Sequence, residues 1–264
     1  MSKKIAIIGG GNLGTAIAEG LLKSNFSVPA DIIITKRNVS TLHALEDKGV
    51  QVSNDNSHAV SQSDLLILAV KPFQVKEVLE GVKNQLTPDH ILVSVVTGVW
   101  IADLANMVTI NMPLFRAMPN TAIAIQQSMT CLSHYNASTE DIQYVQDLFT
   151  TVGKVAAIDE KLMNAATVLG ACGTAFAMRY IRANIQGGIE IGFDAATASM
   201  IAAQTVKGAA ELLLQKGSHP EQEIDKVTTP KGCTIAGLNE MEHQGFSSSL
   251  IKGISASYVR ISND

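Results

Sequence analysis

No stretch of this 264-residue chain approaches the roughly 18 apolar residues that a membrane-spanning helix needs. The opening MSKKIAIIGG holds two lysines, but its apolar run is short and glycines break it, so it does not read as a signal peptide. Cysteine is scarce: Cys131, Cys172 and Cys233 are far apart and odd in number. They form neither a CxxC nor a Cys/His metal spacing, so no metal site is expected and a reducing cytoplasm is the natural compartment. An excess of positive charge is also missing. The formal net charge is −4, which argues against a nucleic-acid-binding face while leaving room for a local basic pocket. The six histidines (43, 58, 90, 134, 219 and 243) fall in no pairing and read as solvated or capping residues.

Apolar residue types make up 46% of the chain and charged ones 17%, enough for one large core or two moderate ones. The most informative stretch is IAIIGGGNLG. A short apolar run, Ile5 to Ile8, leads directly into Gly9-x-Gly11-x-x-Gly14, and an apolar helical pattern follows (Ala16, Ile17, Leu21, Leu22). This strand–turn–helix context makes the glycines a dinucleotide-binding fingerprint. Gly9 permits the tight turn. Gly11 admits a pyrophosphate to the backbone, and Gly14 lets the helix pack on the strand. The helix start offers free N–H groups to phosphates.

From residue 1 to about 158, strand-like runs alternate with helical patterns. The strands are expected at 5–8, 31–35, 50–52, 64–70, 90–96, within 109–120, at 128–133 and at 154–159. Helices are expected at 73–86 and from Ser138 onward. Apolar strands separated by helices predict a doubly wound, mostly parallel α/β sheet of Rossmann type. After residue 160 the strands stop. Residues 162–193 read as one long apolar helix and 194–217 as a second, with Asp194 as N-cap and Gly217 as terminator; a third starts near Thr234. Helices this apolar need cover on every side, which predicts a homodimer over the alternative that they pack only on the Rossmann half. The domains are thus expected at 1–159, binding NAD(P), and 160–264, helical and dimeric.

An NAD-specific fold places an acid at the end of its second strand for the ribose 2′-OH. Here that position reads Thr35-Lys36-Arg37-Asn38, which suits a 2′-phosphate, so NADPH is the expected cofactor, with NADH possible. Ala69-Val70-Lys71-Pro72 and Thr97-Gly98 lie at strand carboxyl ends, where open α/β sheets bind ligands. A second constellation, TTPKGCTIAG at 228–237, runs into a helix. The N–H groups of Gly232, Cys233 and Thr234 there form either a carboxylate site or a plain helix cap. Arg116 and Asn120 either bind substrate or fix their loop. Arg179 and Arg182 are expected to pair with an acid such as Glu190 or to reach solvent. Met107, Met112, Met118 and Met178 are expected in the core.

IGGGNLG, AVKP, RAMPNT, GACGTAF and VTTPKGCTIAGL occur in that order, and together they resemble the pyrroline-5-carboxylate reductase family over essentially the whole chain. Two departures stand out. Lys231 replaces the first of the family's paired glycines, and Thr174 stands where proline is common. The resemblance implies reduction of the cyclic imine 1-pyrroline-5-carboxylate to L-proline by hydride from NADPH, with dimers gathered into a higher assembly. It implies cofactor contacts from Ile8, Gly9, Gly10, Gly11, Asn12, Leu13, Gly14, Thr35, Lys36, Arg37, Asn56, Ala69, Val70, Lys71, Pro72, Thr97 and Gly98. It places substrate at Gly232, Cys233 and Thr234, with the Thr234 hydroxyl on the ring nitrogen. The rival readings are a β-hydroxyacid dehydrogenase-like or other imine-reducing enzyme and a non-catalytic NADP-binding protein. The first rival uses a lysine where this chain has Arg179.

Overall fold

The computed structural model describes residues 3–263. It divides into two compact units, one running to Cys172 and taking in the chain end from Arg260, the other spanning Gly173–Val259.

The first unit is an eight-stranded sheet. Its strands are β1 (Ile5–Ile8), β2 (Ile32–Thr35), β3 (Gln51–Ser53), β4 (Leu65–Leu68), β5 (Ile91–Ser94), β6 (Leu114–Met118), β7 (Ser128–Tyr135) and β8 (Gly153–Ala157). Their order is β3-β2-β1-β4-β5-β6-β7-β8. The first six are parallel, as the fully apolar runs predict: β1, β2, β4, β5 and β6 are buried along their whole length. β7 runs antiparallel to β6, with Leu114 opposite Tyr135, and β8 is parallel to β7.

Helices α1 (Asn12–Ser24), α2 (His43–Glu46), α3 (Asn56–Ser61), α4 (Val75–Val82), α5 (Ile101–Val108) and α6 (Thr139–Thr150) connect these strands. Two apolar clusters fill the space between sheet and helices. One gathers Ile5, Ile7, Ile17 and Phe115; the other gathers Ala6, Ile33, Leu66 and Leu104. The order of strands reverses at β1 and β4, so their carboxyl ends open a crevice. The helix expected over 73–86 is α only at 75–82, with tighter turns at Pro72–Gln74 and Lys83–Gln85.

The helix expected over 162–193 is not uniform. After α7 (Met163–Ala166) comes a wider π turn at Thr167–Cys172, and then α8 (Gly173–Glu190). The Asn120 side-chain amide donates to the Gly170 carbonyl within that π turn at 3.0 Å. Gly192, at φ +112, ends the run.

The second unit continues with α9 (Ala195–Lys216), α10 (Pro220–Lys226), α11 (Cys233–His243) and α12, which begins at Phe246. Asp194 caps α9 through the N–H groups of Ala196 and Thr197, and Gly217 ends it in the left-handed region. Neither α10 nor α12 is among the helices the sequence pattern predicts. His219 accepts from the Glu221 N–H and starts α10, so it is a capping histidine.

Candidate cofactor and substrate sites

The fingerprint glycines divide by what surrounds them. Gly9 has φ +116, and a Cβ there would lie 2.5 Å from the Ala69 carbonyl oxygen. A Cβ on Gly14 would lie 2.1 Å from the Gly9 carbonyl oxygen, so α1 packs on β1 because position 14 is bare. A Cβ on Gly11 would meet nothing within 4 Å. Gly11 is also the N-cap of α1 and supplies no side-chain acceptor. The first N–H groups of α1, on Asn12 and Leu13, are thus the unpaired amino end of a 13-residue helix facing open space. These residues fit a pyrophosphate.

The loop after β2 is more differentiated than its sequence suggests. Thr35 is 2% exposed, and its carbonyl accepts from the N–H groups of Gly9 (3.2 Å) and Gly10 (2.6 Å). Thr35 thus ties β2 to the glycine loop through its backbone carbonyl, and its side chain is buried. The exposed donors are Arg37 and Asn38, with Lys36 half-buried. Asn38 caps the following turn by accepting from Ser40. No carboxylate lies between Ile32 and Leu45 to repel a phosphate.

Asn56 is the first residue of α3, behind the Asp55 cap. Ala69 reaches back to β1, its N–H donating to the Ile8 carbonyl at 2.8 Å, while Lys71 and Pro72 are exposed. Thr97 and Gly98 form a turn between β5 and α5, Gly98 at φ +77. The first unit therefore brings the glycine loop, the β2 loop and the β4 loop together: Gly9 touches both Thr35 and Ala69.

In the second unit, Thr229 to Gly232 make a tight turn. The Gly232 N–H donates to the Thr229 carbonyl at 2.9 Å, with Pro230 and Lys231 at the centre. Proline followed by a residue at φ +60 is the pattern of a type II turn, which favours glycine where Lys231 stands. Gly232 itself is required for space, because a Cβ would lie 2.5 Å from the Thr229 hydroxyl and 2.9 Å from its carbonyl oxygen. The Gly232 N–H is consequently spent within the turn and is not the free donor expected from sequence. Gly232 N-caps α11 without a side-chain acceptor, leaving Cys233 and Thr234 as the first-turn donors.

Arg116 is a buried structural cation, 1% exposed and ion-paired to Glu160 at 3.0 Å. Asn120 caps the turn after β6 as well as reaching Gly170. Both therefore fix structure. Arg179 and Arg182 are exposed. Met178 is 61% exposed, not core, because α8 buries none of its residues within the chain. Met112 and Met118 are buried, and Met107 is half-buried. His90 is also buried, accepting from the Thr87 N–H and lying 3.3 Å from the Val60 carbonyl; it staples a loop and is not solvated. His43 sits 3.1 Å from Glu46. Burial raises the pKa of Cys131, and all three cysteines are free. Among the described residues, no three His, Cys, Asp or Glu side chains converge as a metal would need. No helix there is long and apolar enough to cross a membrane.

Two family models match. "Pyrroline-5-carboxylate reductase dimerisation" covers residues 160–263, and "NADP oxidoreductase coenzyme F420-dependent" covers 4–98. A Dictyostelium discoideum pyrroline-5-carboxylate reductase 1 is 48% identical over 95% of this chain, which spans 48% of that relative's length. Pyrroline-5-carboxylate reductase 2 of the same organism is 43% identical over 96% of this chain and 90% of its own. The crystal structure of Plasmodium falciparum pyrroline carboxylate reductase with NADP bound superposes with a TM-score of 0.90 at 25% identity, covering 98% and 97% of the two chains. On the strength of these matches along its length, the chain belongs to the pyrroline-5-carboxylate reductase family.

Proposed function

We propose that this chain reduces 1-pyrroline-5-carboxylate to L-proline with NADPH, residues 1–159 binding the cofactor and 160–264 the substrate and a second copy of the chain. The observation that carries the reading is the 43% identity shared with a named reductase over nearly the full length of both.

Each role follows from donor chemistry. The N–H groups of Asn12 and Leu13 receive the pyrophosphate, in space that Gly11 leaves open. Lys36 and Arg37 hold the 2′-phosphate by charge-assisted hydrogen bonds. Ile8, Gly9 and Gly10, Asn56, Ala69 to Pro72, and Thr97 with Gly98 complete the lining. The N–H groups of Cys233 and Thr234 clamp the substrate carboxylate at the positive end of α11. The Thr234 hydroxyl hydrogen-bonds the ring nitrogen. When bound, the dihydronicotinamide supplies the hydride that the imine carbon accepts. The ring nitrogen takes its proton from water, so this chain needs no acid–base dyad. Its contribution is orientation.

The second unit supports a homodimer. α9 buries only Ala198 and Ala202 within the chain, while Ile191, Met200 and Leu214 are 78%, 66% and 73% exposed. Apolar surface of this extent belongs to an interface. A higher assembly of dimers follows from the family resemblance, and a cytoplasmic location suits three unbridged cysteines.

The test is turnover of the cyclic imine with NADPH by wild type and Thr234→Ala. The variant is expected to lose about tenfold or more in kcat, roughly 1.4 kcal/mol of transition-state stabilisation, with unchanged NADPH affinity. Wild-type turnover in the variant would refute the role of Thr234. A stable monomer in sedimentation at micromolar concentration would refute the dimer.

A further inference from the structure

One acidic residue lies outside every motif and still reaches the cofactor side of the sheet. Glu160 follows β8 by three residues. Its Oε1 accepts from the Ile101 N–H at 2.7 Å and from Arg116 Nη1 at 3.0 Å. Ile101 is the first residue of α5, so Glu160 serves as a distant N-cap for that helix. Arg116 holds the same oxygen by an ion pair. Its guanidinium lies 5.1 Å from the Trp100 ring centroid, and its Nε and Nη2 find no hydrogen-bond partner. Trp100 and Ile101 are the downstream end of the Thr97–Gly98 turn. The upstream end is fixed by the sheet, where the Val95 N–H donates to Leu68 and the Val96 N–H to the Ser94 hydroxyl.

We infer that Glu160 is a positioning residue for the reaction, setting the Thr97–Gly98 turn through the amino end of α5. The inference rests on the reading that this turn lines the cofactor. A buried cation needs an anion somewhere nearby, so charge balance alone would explain a Glu–Arg pair. It does not explain why the same oxygen also takes the Ile101 N–H. That second bond transmits the carboxylate's position to the turn, and small displacements near a hydride-transfer geometry are costly in rate.

The two roles respond oppositely to two conservative variants. Glu160→Asp keeps the charge but is one methylene too short to serve Arg116 and Ile101 together. Glu160→Gln loses the charge but keeps an oxygen at the same reach. Positioning predicts that Glu160→Asp loses about tenfold in kcat per folded molecule while Glu160→Gln stays within about threefold. The preference for NADPH over NADH should change by less than about twofold in either, because the 2′-phosphate is held elsewhere. Trp100 is the chain's single tryptophan, so its emission reports this turn directly. Its spectrum should shift in Glu160→Asp and not in Glu160→Gln, with thermal melts confirming that both are folded. An active wild type with Glu160→Asp unimpaired and Glu160→Gln impaired would assign charge balance alone and overturn the inference. So would two variants with wild-type rates. An inactive wild type would instead overturn the functional reading on which this one stands.

Discussion

The Cβ that Gly14 lacks would sit 2.1 Å from the carbonyl oxygen of Gly9, so α1 and β1 share backbone contact that any side chain would break. Gly14→Ala must push helix and strand apart, and overpacking against backbone cannot be relieved by a rotamer change. The expected loss is about 3 kcal/mol, a fall of roughly 6–12 °C in melting temperature for a domain of this size. Gly11→Ala is the contrasting case. Its Cβ meets nothing, so the melting temperature should change far less than in Gly14→Ala, while on the proposed pyrophosphate role NADPH affinity falls by about tenfold or more. Calorimetry and cofactor titration on the two variants separate fold glycine from ligand glycine. Equal behaviour would contradict the division.

Lys231 stands at φ +60 in the centre of the Thr229–Gly232 turn. A non-glycine residue there costs about 1–2 kcal/mol, offset in part by the roughly 0.5–1 kcal/mol that glycine loses in conformational entropy. Lys231→Gly should therefore raise the melting temperature by about 1–2 °C. Lys231→Val should lower it, since a β-branched residue tolerates that region worst. A destabilised Lys231→Gly would show that the lysine side chain makes a contact outweighing its backbone cost.

How far the sequence reached depended on whether the information was local. The strand–glycine–helix start was readable because φ at Gly9, closeness at Gly14 and openness at Gly11 are properties of neighbouring residues. The parallel sheet was readable from fully apolar runs, and Asp194 and Gly217 from their helix-end chemistry. What the sequence hides is bonding that no periodicity marks, whether inside a turn or between distant residues. The Gly232 N–H reads as available in the sequence, and the turn spends it on the Thr229 carbonyl. Thr35 reads as a polar loop residue, and only the fold shows its side chain buried and its carbonyl taken by Gly9 and Gly10. Glu160 joins Arg116 across 44 positions and Ile101 across 59, and no spacing rule finds such a bond. The π turn at Thr167–Cys172 likewise has no periodic sign in an apolar helix.

Glu223 offers a test of acid sensitivity in the second unit. The Lys226 ammonium at 2.6 Å, then the Ser218 hydroxyl at 2.6 Å, and finally Lys216 at 3.7 Å lower its pKa from 4.5 to about 2. A depressed carboxylate stabilises the fold above its unfolded value and loses that contribution as pH falls through its folded one. The α9–α10 corner should thus weaken between about pH 4.5 and 2. Thermal melts of wild type and Glu223→Gln should differ near pH 6 and converge toward pH 2. A gap that persists at the acid end would mean that the carboxylate's charge is not what holds this corner.

The proposed 2′-phosphate role of Lys36 and Arg37 is tested by cofactor preference. The loop after β2 carries no carboxylate, its Thr35 carbonyl is taken by Gly9 and Gly10, and Asn38 is engaged with Ser40. Its positive charge is therefore carried by Lys36 and Arg37, beside the exposed Asn38. Only NADPH carries a 2′-phosphate for them to hold, and a charge-assisted hydrogen bond contributes about 1.5–3 kcal/mol. Replacing both by alanine should raise KM for NADPH about tenfold or more and leave KM for NADH within about twofold. Because Arg37 is exposed, raising ionic strength should shrink the wild-type preference as the Debye length falls from about 10 Å at 0.1 M toward 3 Å at 1 M. Initial-rate kinetics with both cofactors at two salt concentrations measure all of this. Parallel losses for NADPH and NADH would mean that the loop itself had been damaged. No loss for either would place the 2′-phosphate away from Lys36 and Arg37 and refute the assignment.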